Sequence, residues 1–500
     1  MPELRLHPDR MLTADPSTRA VARRLYATVA DAPIVSPHGH VDPALFVTNR
    51  PFANPAELFI TPDHYVTRLL HSLGVGLDAL GLDPSDPAAD RRAGARTGPA
   101  VPALAPGPTA AQDARSRAAW RELARVYPKL AGTPVRYWLD DQLAGVFGLE
   151  EQPSEANADA QYDELSAKLA LPEFSPRRLL ARSGIDVLAT TDAPADDLGA
   201  HQALALHPGV RAAVVPTFRA DRYFDPSEAG WPASLEALAE ASGIDTSTYR
   251  GVVAALRDRR QYFARHGATS TDSGVVDAWA VPLDEGAAEG IHRRALSGPI
   301  SEADATAYRR NMLYRMAEMS ADDGLVMQLH AGVLRNHHAA TFDRFGPDTG
   351  HDLPVSTEFT RPLQTLLNHF GTNPAFRLVL FTVDETSFAR DIAPLAGFYP
   401  SVFVGAPWWF LDTPDAMRRF REAATDSAGF YKTSGFIDDT RALCSIGARH
   451  DLSRRIDAGH LASLVVRHQL TEDEATVIAV DLVDSIPTST FRLEDARSRP

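Results

Sequence analysis

The amino-acid sequence predicts an α/β protein built as a (β/α)8 TIM-like barrel. Strand-like apolar runs alternate with helical segments from residue 181 onward, which is typical of parallel strands joined by crossover helices. Most of these runs end in polar residues, as barrel strands do where they form a site. No G-x-G-x-x-G or G-x-x-x-x-G-K-[ST] sequence follows a strand, which disfavours the competing doubly wound sheet.

Eight strands are predicted, the number that a closed barrel of this kind needs. The run at 267–270 is the weakest, because it is short and lacks a clean apolar stretch. The predicted strands cover residues 33–38, 185–190, 210–217, 267–270, 325–329, 377–382, 402–405 and 435–437. Helices are predicted between several of them, at residues 196–206, 235–240, 248–263, 302–319 and 414–424.

Two regions interrupt the regular alternation of strands and helices. Residues 1–33 are predicted as an N-terminal helical lead-in, and residues 34–500 as the barrel itself. A helix-rich insertion at about 45–180 is expected after the first barrel strand, because helical periodicity dominates there. Within it, residues 83–115 are rich in Pro, Ala, Gly and Asp and carry few large apolar residues, which predicts a loop.

Composition narrows the classes of function. The net charge of −15 and the isoelectric point of 5.6 argue against binding to nucleic acid or to an anionic membrane, because both need concentrated positive charge. Cys444 is the single cysteine, so an intramolecular disulfide or a cysteine-based metal site is excluded. The sequence has neither a basic leader followed by an apolar run nor about 18 consecutive apolar residues, which predicts a cytoplasmic protein.

Two histidines separated by one glycine follow the first predicted strand, in the sequence Ser-Pro-His-Gly-His at 36–40. Side chains two residues apart in an extended chain face the same side, so His38 and His40 can point to one metal ion. Chance is the alternative, because the chain has 17 histidines. Asp439 follows the last strand, which neighbours the first in a closed barrel, and His330 follows the fifth. Two histidines and one aspartate suit Zn2+, Mn2+ or Fe2+.

Polar residues follow most of the other predicted strands as well. Any one of them can be a solvated loop residue, but six or seven together indicate an assembled site. The candidates are Thr190, Thr191, Asp192, Arg219, Arg335, Asn336, Asp384, Glu385, Trp408, Trp409, Asp438 and Arg441. His64 and Tyr65 open a predicted helix that runs to residue 73, where buried packing is their alternative role. A two-metal site bridged by a lysine on a middle strand is excluded, because no lysine occurs between residues 168 and 432.

Longer motifs resemble the uronate isomerase (glucuronate isomerase) family of the amidohydrolase superfamily. They occur in the order found in that family and are spread over most of the chain. The motifs are Ser-Pro-His-Gly-His at 36–40, Asp-His-Tyr at 63–65, Thr-Thr-Asp-Ala-Pro-Ala-Asp-Asp-Leu at 190–198, Phe-Arg-Ala-Asp at 218–221, Met-Gln-Leu-His-Ala-Gly at 327–332, Leu-Arg-Asn at 334–336, Gly-Pro-Asp-Thr-Gly at 346–350, Trp-Trp-Phe at 408–410, Asp-Thr-Arg at 439–441 and Arg-His at 449–450. Ser273 departs from the family, which usually has histidine there.

The resemblance implies a barrel of the amidohydrolase type. It also implies an aldose–ketose isomerase that interconverts D-glucuronate with D-fructuronate and D-galacturonate with D-tagaturonate. The expected cofactor is one divalent metal, Zn2+ first with Mn2+ or Fe2+ as alternatives, and no organic cofactor. The expected partner is a small sugar acid, and we expect a homo-oligomer. The alternatives are a mononuclear metal-dependent hydrolase or decarboxylase of the same superfamily and an inactive protein that binds a sugar acid.

Residue roles follow from this implied reaction. Asp439 is the expected base that moves a proton from C2 to C1 of the open-chain sugar, with a hydride shift as the mechanistic alternative. Arg441 and Tyr65 complete the expected catalytic group. Fixed donors must hold the C6 carboxylate, and the candidates are His64, Arg219, Arg335 and Arg441 together with Tyr65. Trp408 and Trp409 are expected to pack on the sugar, with a place in the core as the alternative.

Overall fold

A computed structural model describes residues 2–82, 109–228 and 230–497 of the chain. Its strands are short and their residues are mostly buried, as expected for a parallel sheet covered by helices. In chain order they are β1 Ile34–Ser36, β2 Ile185–Ala189, β3 Ala213–Val215, β4 Phe218–Arg219, β5 Ser270–Val275, β6 Val326–Ala331, β7 Val333–Leu334, β8 Leu353–Pro354, β9 Leu378–Thr382 and β10 Val402–Val404.

Parallel pairing connects eight of these strands, whereas β7 and β8 pair antiparallel with each other. One sheet has the order β1-β2-β3, and a second has the order β4-β5-β6-β9-β10. Parallel bridges between Asp192 and Phe218 and between Val404 and Thr433 extend the pairing past each sheet. His40 N donates a 3.0 Å hydrogen bond to Thr440 O, so the last segment lies beside the first. The predicted α/β fold with parallel strands is confirmed, and this strand order is consistent with a TIM-like barrel.

Helices cover the strands and fill the connections between them. The α-helices are Pro16–Val29, Ala44–Thr48, Pro55–Phe59, His64–Ser72, Ala110–Val126, Pro134–Asp140, Ala158–Leu169, Pro176–Arg182, Gly199–Ala205, Trp231–Ser242, Tyr249–Arg265, Glu285–Ser297, Glu302–Asp323, Ala339–Phe345, Gln364–Phe370, Ala393–Phe398, Pro414–Ala428, Ser445–Val466, Glu472–Val483, Ser485–Thr490 and Glu494–Arg497. Two π-helical turns, Asp141–Val146 and Phe388–Ile392, interrupt this pattern. No helix among the described residues combines the length and apolarity that a membrane span requires.

The connection between β1 and β2 is helical where the structure describes it. Its aromatic side chains, Phe59 and Trp120 among them, belong to the same apolar cluster as Val187 and Leu188 of β2. The helices of this connection therefore share a core with the first barrel strands. Residues 83–108 of the predicted loop lie outside the described residues. The rest of that prediction is wrong, because Thr109 and Gln112 form a capping box that starts a helix at Ala110.

Two predicted strands differ from the structure. The strand expected at 267–270 instead spans Ser270–Val275 as β5. Its residues are mostly buried, but its Ser-Thr-Asp-Ser sequence is polar, so the sequence does not predict that burial. Residues 435–437 are not a strand. Gly435 has a φ of +72°, and pairing with β10 ends at Thr433 and Ser434. A side chain at Gly435 would meet Pro487, so this close approach requires glycine.

The helix Ser445–Val466 shows why some helices have no clear sequence signal. Its buried residues lie on all faces and include charged side chains such as Arg449, Arg454 and Asp457. Periodicity detects one apolar face, and this helix does not have one. Apolar residues of the N-terminal helix Pro16–Val29 pack against it, so the lead-in is part of the folded body.

Candidate active site

One polar cavity lies where the parallel strands end. Its volume is about 320 Å³, and its lining comes from the residues that follow β1, β2, β4, β6 and β10 together with loop residues. The lining includes His38, His40, His64, Arg219, Asp272, His330, Arg335, Asp348, Trp408, Trp409, Asp439 and Arg441. All residues proposed from the sequence as metal ligands or substrate contacts therefore meet here, except Tyr65.

His38 and His40 converge on one carboxylate oxygen. The Nε2 atoms of His38 and His40 lie 3.2 Å and 2.9 Å from Asp439 Oδ1. β1 ends at Ser36, so the two histidines stand in the loop after it. Burial acts to raise the pKa of Asp439, but its interactions with His38 and His40 hold that pKa well below its usual value. Asp439 is therefore an ionised carboxylate between two imidazoles.

Asp439 reaches this position through an unusual backbone. Its φ is +43°, in the left-handed region that L-residues seldom adopt. Asp439 and Arg441, two residues apart in the chain, both line the cavity.

His330 and Asp272 form a second buried pair beside the first. His330 is in β6, and its Nδ1 lies 2.7 Å from Asp272 Oδ1 in β5. The rings of His38 and His330 are 4.7 Å apart. Burial acts to raise the pKa of Asp272, but His330 and Arg219 lower it below its usual value. The Nε2 atom of His330 is buried and has no hydrogen-bond partner among the described residues.

These donors fit a divalent metal. His38, His40 and Asp439 each offer a ligand atom within 4.8 Å of the others, and His38, Asp272 and His330 form an overlapping set. Imidazole nitrogens with carboxylate oxygens suit Zn2+ and related first-row ions. The buried Nε2 of His330 supports this fit, because an unsatisfied buried nitrogen is costly without a ligand.

Three arginines form one wall of the cavity, each paired with carboxylates. Arg219 Nε lies 2.7 Å from Asp221 Oδ2, and its Nη1 lies 3.4 Å from Asp272 Oδ2. Burial acts to lower the pKa of Arg219, but Asp221 and Asp272 raise it above its usual value. Arg219 is therefore held in one orientation and remains charged.

Arg335 and Arg441 share one carboxylate. Arg335 Nη1 lies 2.9 Å from Asp352 Oδ2 and 3.5 Å from Asp348 Oδ1. Arg441 Nη2 lies 2.9 Å from Asp348 Oδ2. Burial acts to raise the pKa of Asp348, but Arg441 and Arg335 lower it to about 2. Guanidinium groups in this arrangement are suited to binding a carboxylate with charge-assisted hydrogen bonds.

The two tryptophans have different places. Trp408 Nε1 donates a 2.5 Å hydrogen bond to Asp439 Oδ2. Trp409 packs against His64, with ring centroids 4.8 Å apart. The guanidinium carbon of Arg335 lies over the Trp409 ring, 5.3 Å from its centroid. Burial and Arg441 lower the pKa of His64 to about 3, so this imidazole is neutral at pH 7. Trp408 thus orients the carboxylate, and Trp409 supports the arginine wall.

Tyr65 lies behind the cavity and does not belong to its lining. It is buried, and the guanidinium of Arg449 lies 4.6 Å from its ring centre. Burial and the charge of Asp412 raise the pKa of Tyr65 well above its usual value. The ring of Tyr65 stacks on that of His64, which does line the cavity, with centroids 4.9 Å apart, and a catalytic role for Tyr65 stays a prediction.

Sequence reasoning missed four carboxylates of the site. They are Asp221, Asp272, Asp348 and Asp352. Three of them stand within quoted motifs or departures from the family pattern, so a signal was present but no role was assigned. Each is paired with an arginine or a histidine that the sequence did single out.

Comparison with known proteins decides the family. The family model for glucuronate isomerase matches residues 12–87 and 108–486 of the chain. The chain belongs to this family. The uronate isomerase of Rhizorhabdus wittichii is 48% identical over 491 residues, which cover 98% of this chain and 99% of that protein. The uronate isomerase of Corynebacterium efficiens is 46% identical over 488 residues, which cover 97% of this chain and 98% of the relative.

Solved structures agree with this membership. The crystal structure of glucuronate isomerase from Caulobacter crescentus has a TM-score of 0.90 and 40% identity, covering 99% of this chain and 98% of that chain. The uronate isomerase structure from Thermotoga maritima has a TM-score of 0.86 and 28% identity, and the match covers 97% of this chain and 99% of that chain. The resemblance seen in the sequence is confirmed, and the chain is an isomerase of the uronate isomerase family.

Proposed function

We propose that this chain interconverts D-glucuronate with D-fructuronate and D-galacturonate with D-tagaturonate. The observation that carries the proposal is the mixed polarity of this cavity. It combines an ionised carboxylate beside two histidines with three guanidinium groups. An open-chain hexuronate offers a matching pair of groups, a carbonyl at C1 and a carboxylate at C6.

Arg219, Arg335 and Arg441 bind the C6 carboxylate in this proposal. Charge-assisted hydrogen bonds from guanidinium groups give both affinity and a fixed direction to the ligand. His64 and Trp409 support the same wall through their ring contact. Holding C6 at one side sets C1 and C2 near Asp439, which reduces the entropy cost of the chemical step.

Asp439 takes the proton from C2 and returns it to C1. Its low pKa keeps it able to accept a proton at neutral pH. The hydrogen bond from Trp408 Nε1 to Oδ2 fixes the plane of the carboxylate. A hydride shift between the two carbons is the mechanistic alternative. Tyr65 acts as a positioning residue in this scheme, because it packs against Arg449 behind the cavity.

The proposed cofactor is a divalent metal held by His38, His40 and Asp439, with His330 as a further donor. Zn2+ is our first choice of ion, and Mn2+ and Fe2+ are the alternatives. A divalent ion bound there supplies a Lewis acid for the oxygens at C1 and C2. No organic cofactor is part of the proposal. A cytoplasmic location and a homo-oligomeric state stay predictions.

Proton NMR of the metal-loaded protein with D-glucuronate and, separately, with D-galacturonate tests the proposal. We expect signals of the corresponding ketouronate to grow as those of the aldouronate decline. D-Glucose, which lacks the carboxylate, serves as the control substrate and is expected to remain unchanged. The competing function, a metal-dependent hydrolase or decarboxylase, is not favoured by the relatives at 46–48% identity. Loss of the carboxylate without ketouronate would support that competitor and contradict our proposal.

A further inference from the structure

Asp348 occupies the place where a ligand carboxylate would be bound. Its Oδ2 lies 2.9 Å from Arg441 Nη2, and its Oδ1 lies 3.5 Å from Arg335 Nη1. A carboxylate that divides its two oxygens between two guanidinium groups has the geometry expected of a bound sugar acid. Asp348 also lines the cavity, so it shares the space that the substrate needs.

The other carboxylates of this wall are held by additional partners. Asp221 Oδ1 accepts a 2.9 Å hydrogen bond from Gly274 N, and Asp352 Oδ1 accepts a 2.7 Å hydrogen bond from Asn336 N. Within the part of the chain that the structure describes, the ion pairs and hydrogen bonds of the Asp348 carboxylate go to the two arginines alone. Asp348 is therefore the carboxylate of this wall that a ligand can replace most easily.

The backbone around Asp348 permits such a replacement. Asp348 has a φ of +59°, and it stands in the loop between the helix Ala339–Phe345 and β8. The adjacent Thr349 O accepts a 3.5 Å hydrogen bond from Thr67 Oγ1, at the limit of hydrogen-bond length. Among the described residues, moving the Asp348 side chain away from the arginines breaks its contacts with Arg335 and Arg441 alone.

We propose that Asp348 competes with the C6 carboxylate of the substrate for Arg335 and Arg441. The substrate carboxylate replaces Asp348 on these guanidinium groups, and Asp348 returns to them when the product leaves. The competition weakens the binding of substrate and product and so favours product release. This inference rests on the proposed function, because it needs a ligand whose carboxylate binds at this wall.

The competing explanation is that Asp348 only positions the arginines. The two explanations predict opposite changes in the affinity for a carboxylate ligand when Asp348 is removed. If Asp348 competes, its removal tightens the binding of a carboxylate ligand. If Asp348 positions Arg441, its removal loosens that binding, because the guanidinium loses a partner that helps to fix it.

Isothermal titration calorimetry of the metal-loaded protein measures the Kd of such a ligand and so distinguishes the two explanations. L-Gulonate and D-glucitol are the ligands, since they are the open-chain alcohols of glucuronate and glucose and differ only at C6. Neither has an aldehyde or ketone group, so neither is isomerised. The main variant is Asp348→Asn, because asparagine tolerates a left-handed backbone as aspartate does. Asp348→Gly is the second variant, since glycine adopts this φ freely and has no carboxylate.

Asp343→Asn is the matched control, because it changes the net charge equally at an exposed residue on the helix Ala339–Phe345. We expect Asp348→Asn and Asp348→Gly to lower the Kd of L-gulonate about tenfold, the size of one charge-assisted hydrogen bond. D-Glucitol does not compete for the arginines, so its Kd is expected to change less than about twofold in the Asp348 variants. The Kd of L-gulonate for Asp343→Asn is likewise expected to change less than about twofold.

An unchanged or higher Kd for L-gulonate in both Asp348 variants would overturn the inference. Turnover of D-glucuronate by the wild-type protein is measured on the same samples. A wild type that isomerises glucuronate, with variants that bind L-gulonate no more tightly, contradicts the inference and leaves the proposed function intact. A wild type that produces no ketouronate contradicts both.

Discussion

Trp408 holds Asp439 by a 2.5 Å hydrogen bond from its indole Nε1 to Oδ2, while Oδ1 faces His38 and His40. The two oxygens of Asp439 therefore have separate partners, and the hydrogen bond from Trp408 fixes the orientation of the carboxylate. A base that must reach both C2 and C1 needs such an orientation.

Replacing Trp408 with phenylalanine keeps the aromatic contact with His330 and removes the N–H donor. We expect Trp408→Phe to lower kcat about 10- to 100-fold, since a hydrogen bond to a charged group contributes roughly 1.5–3 kcal/mol. Metal content is expected to stay near that of the wild type. Steady-state kinetics with metal analysis checks this, and Trp279→Phe, away from the cavity, is the control. A kcat equal to that of the wild type would show that the indole N–H does not support the base.

His38→Ala and His40→Ala are expected to lose bound metal and isomerase activity together, because each removes one of three converging donors. Metal analysis beside a rate assay provides the measurement. His207→Ala, at a half-buried histidine outside the cavity lining, should retain both. A double variant that kept stoichiometric metal would remove these histidines from the metal site.

Arg441→Met separates substrate binding from metal binding. We expect kcat/KM for glucuronate to fall about 10- to 100-fold, because a charge-assisted hydrogen bond to the C6 carboxylate is lost. Metal content should remain near normal, since Arg441 is not among the metal donors. Arg344→Met, at an exposed arginine, is the control. An unchanged kcat/KM would indicate that Arg441 does not contact the substrate.

His460 gives the folded protein a pH-dependent stability that is independent of the active site. Burial and Arg421 lower the pKa of His460 to about 4, against the smaller opposing effect of Asp457. The unfolded chain binds a proton near pH 6.5, whereas the folded chain does so only near pH 4. The unfolded state therefore binds more protons between these values, and stability is lost as the pH falls from 6.5 to 4.

Denaturant unfolding of wild type and His460→Gln from pH 7 to pH 4 measures this contribution. We expect the free energy of unfolding of the wild type to fall, relative to the variant, by on the order of 1 kcal/mol per pH unit. His207→Gln should retain the wild-type slope. Parallel curves for wild type and His460→Gln would show that this histidine titrates alike in both states.

The sequence predicted that the proposed metal donors meet in one cavity, because they stand at the ends of buried apolar strands. His38 and His40 come after β1 and His330 lies in β6, so chain order and barrel closure bring them together. The α/β fold was predicted from the same alternation of strands and helices. Tyr65 is absent from the cavity lining, because a position in a first helical turn does not determine which side of the helix faces the cavity.

The sequence could not reveal the partners of the arginines. Asp272 lies in β5, a buried strand with the polar sequence Ser-Thr-Asp-Ser, so the apolar pattern that identifies strands is missing there. Asp348 meets Arg441 across 93 residues of sequence, and no local pattern specifies such a pair. These contacts depend on the folded positions of loops rather than on periodicity.

The most direct test of proton transfer by Asp439 follows the hydrogen that moves from C2 to C1. Metal-loaded wild type and Asp439→Asn are each incubated with D-glucuronate in deuterated water, and proton NMR follows the products. Proton transfer by Asp439 predicts that the wild type forms fructuronate with solvent deuterium at C1. It also predicts that kcat is lower by at least about a thousandfold in Asp439→Asn, because a general base and its charge are lost. Fructuronate without deuterium, together with a near-normal kcat in Asp439→Asn, would contradict it.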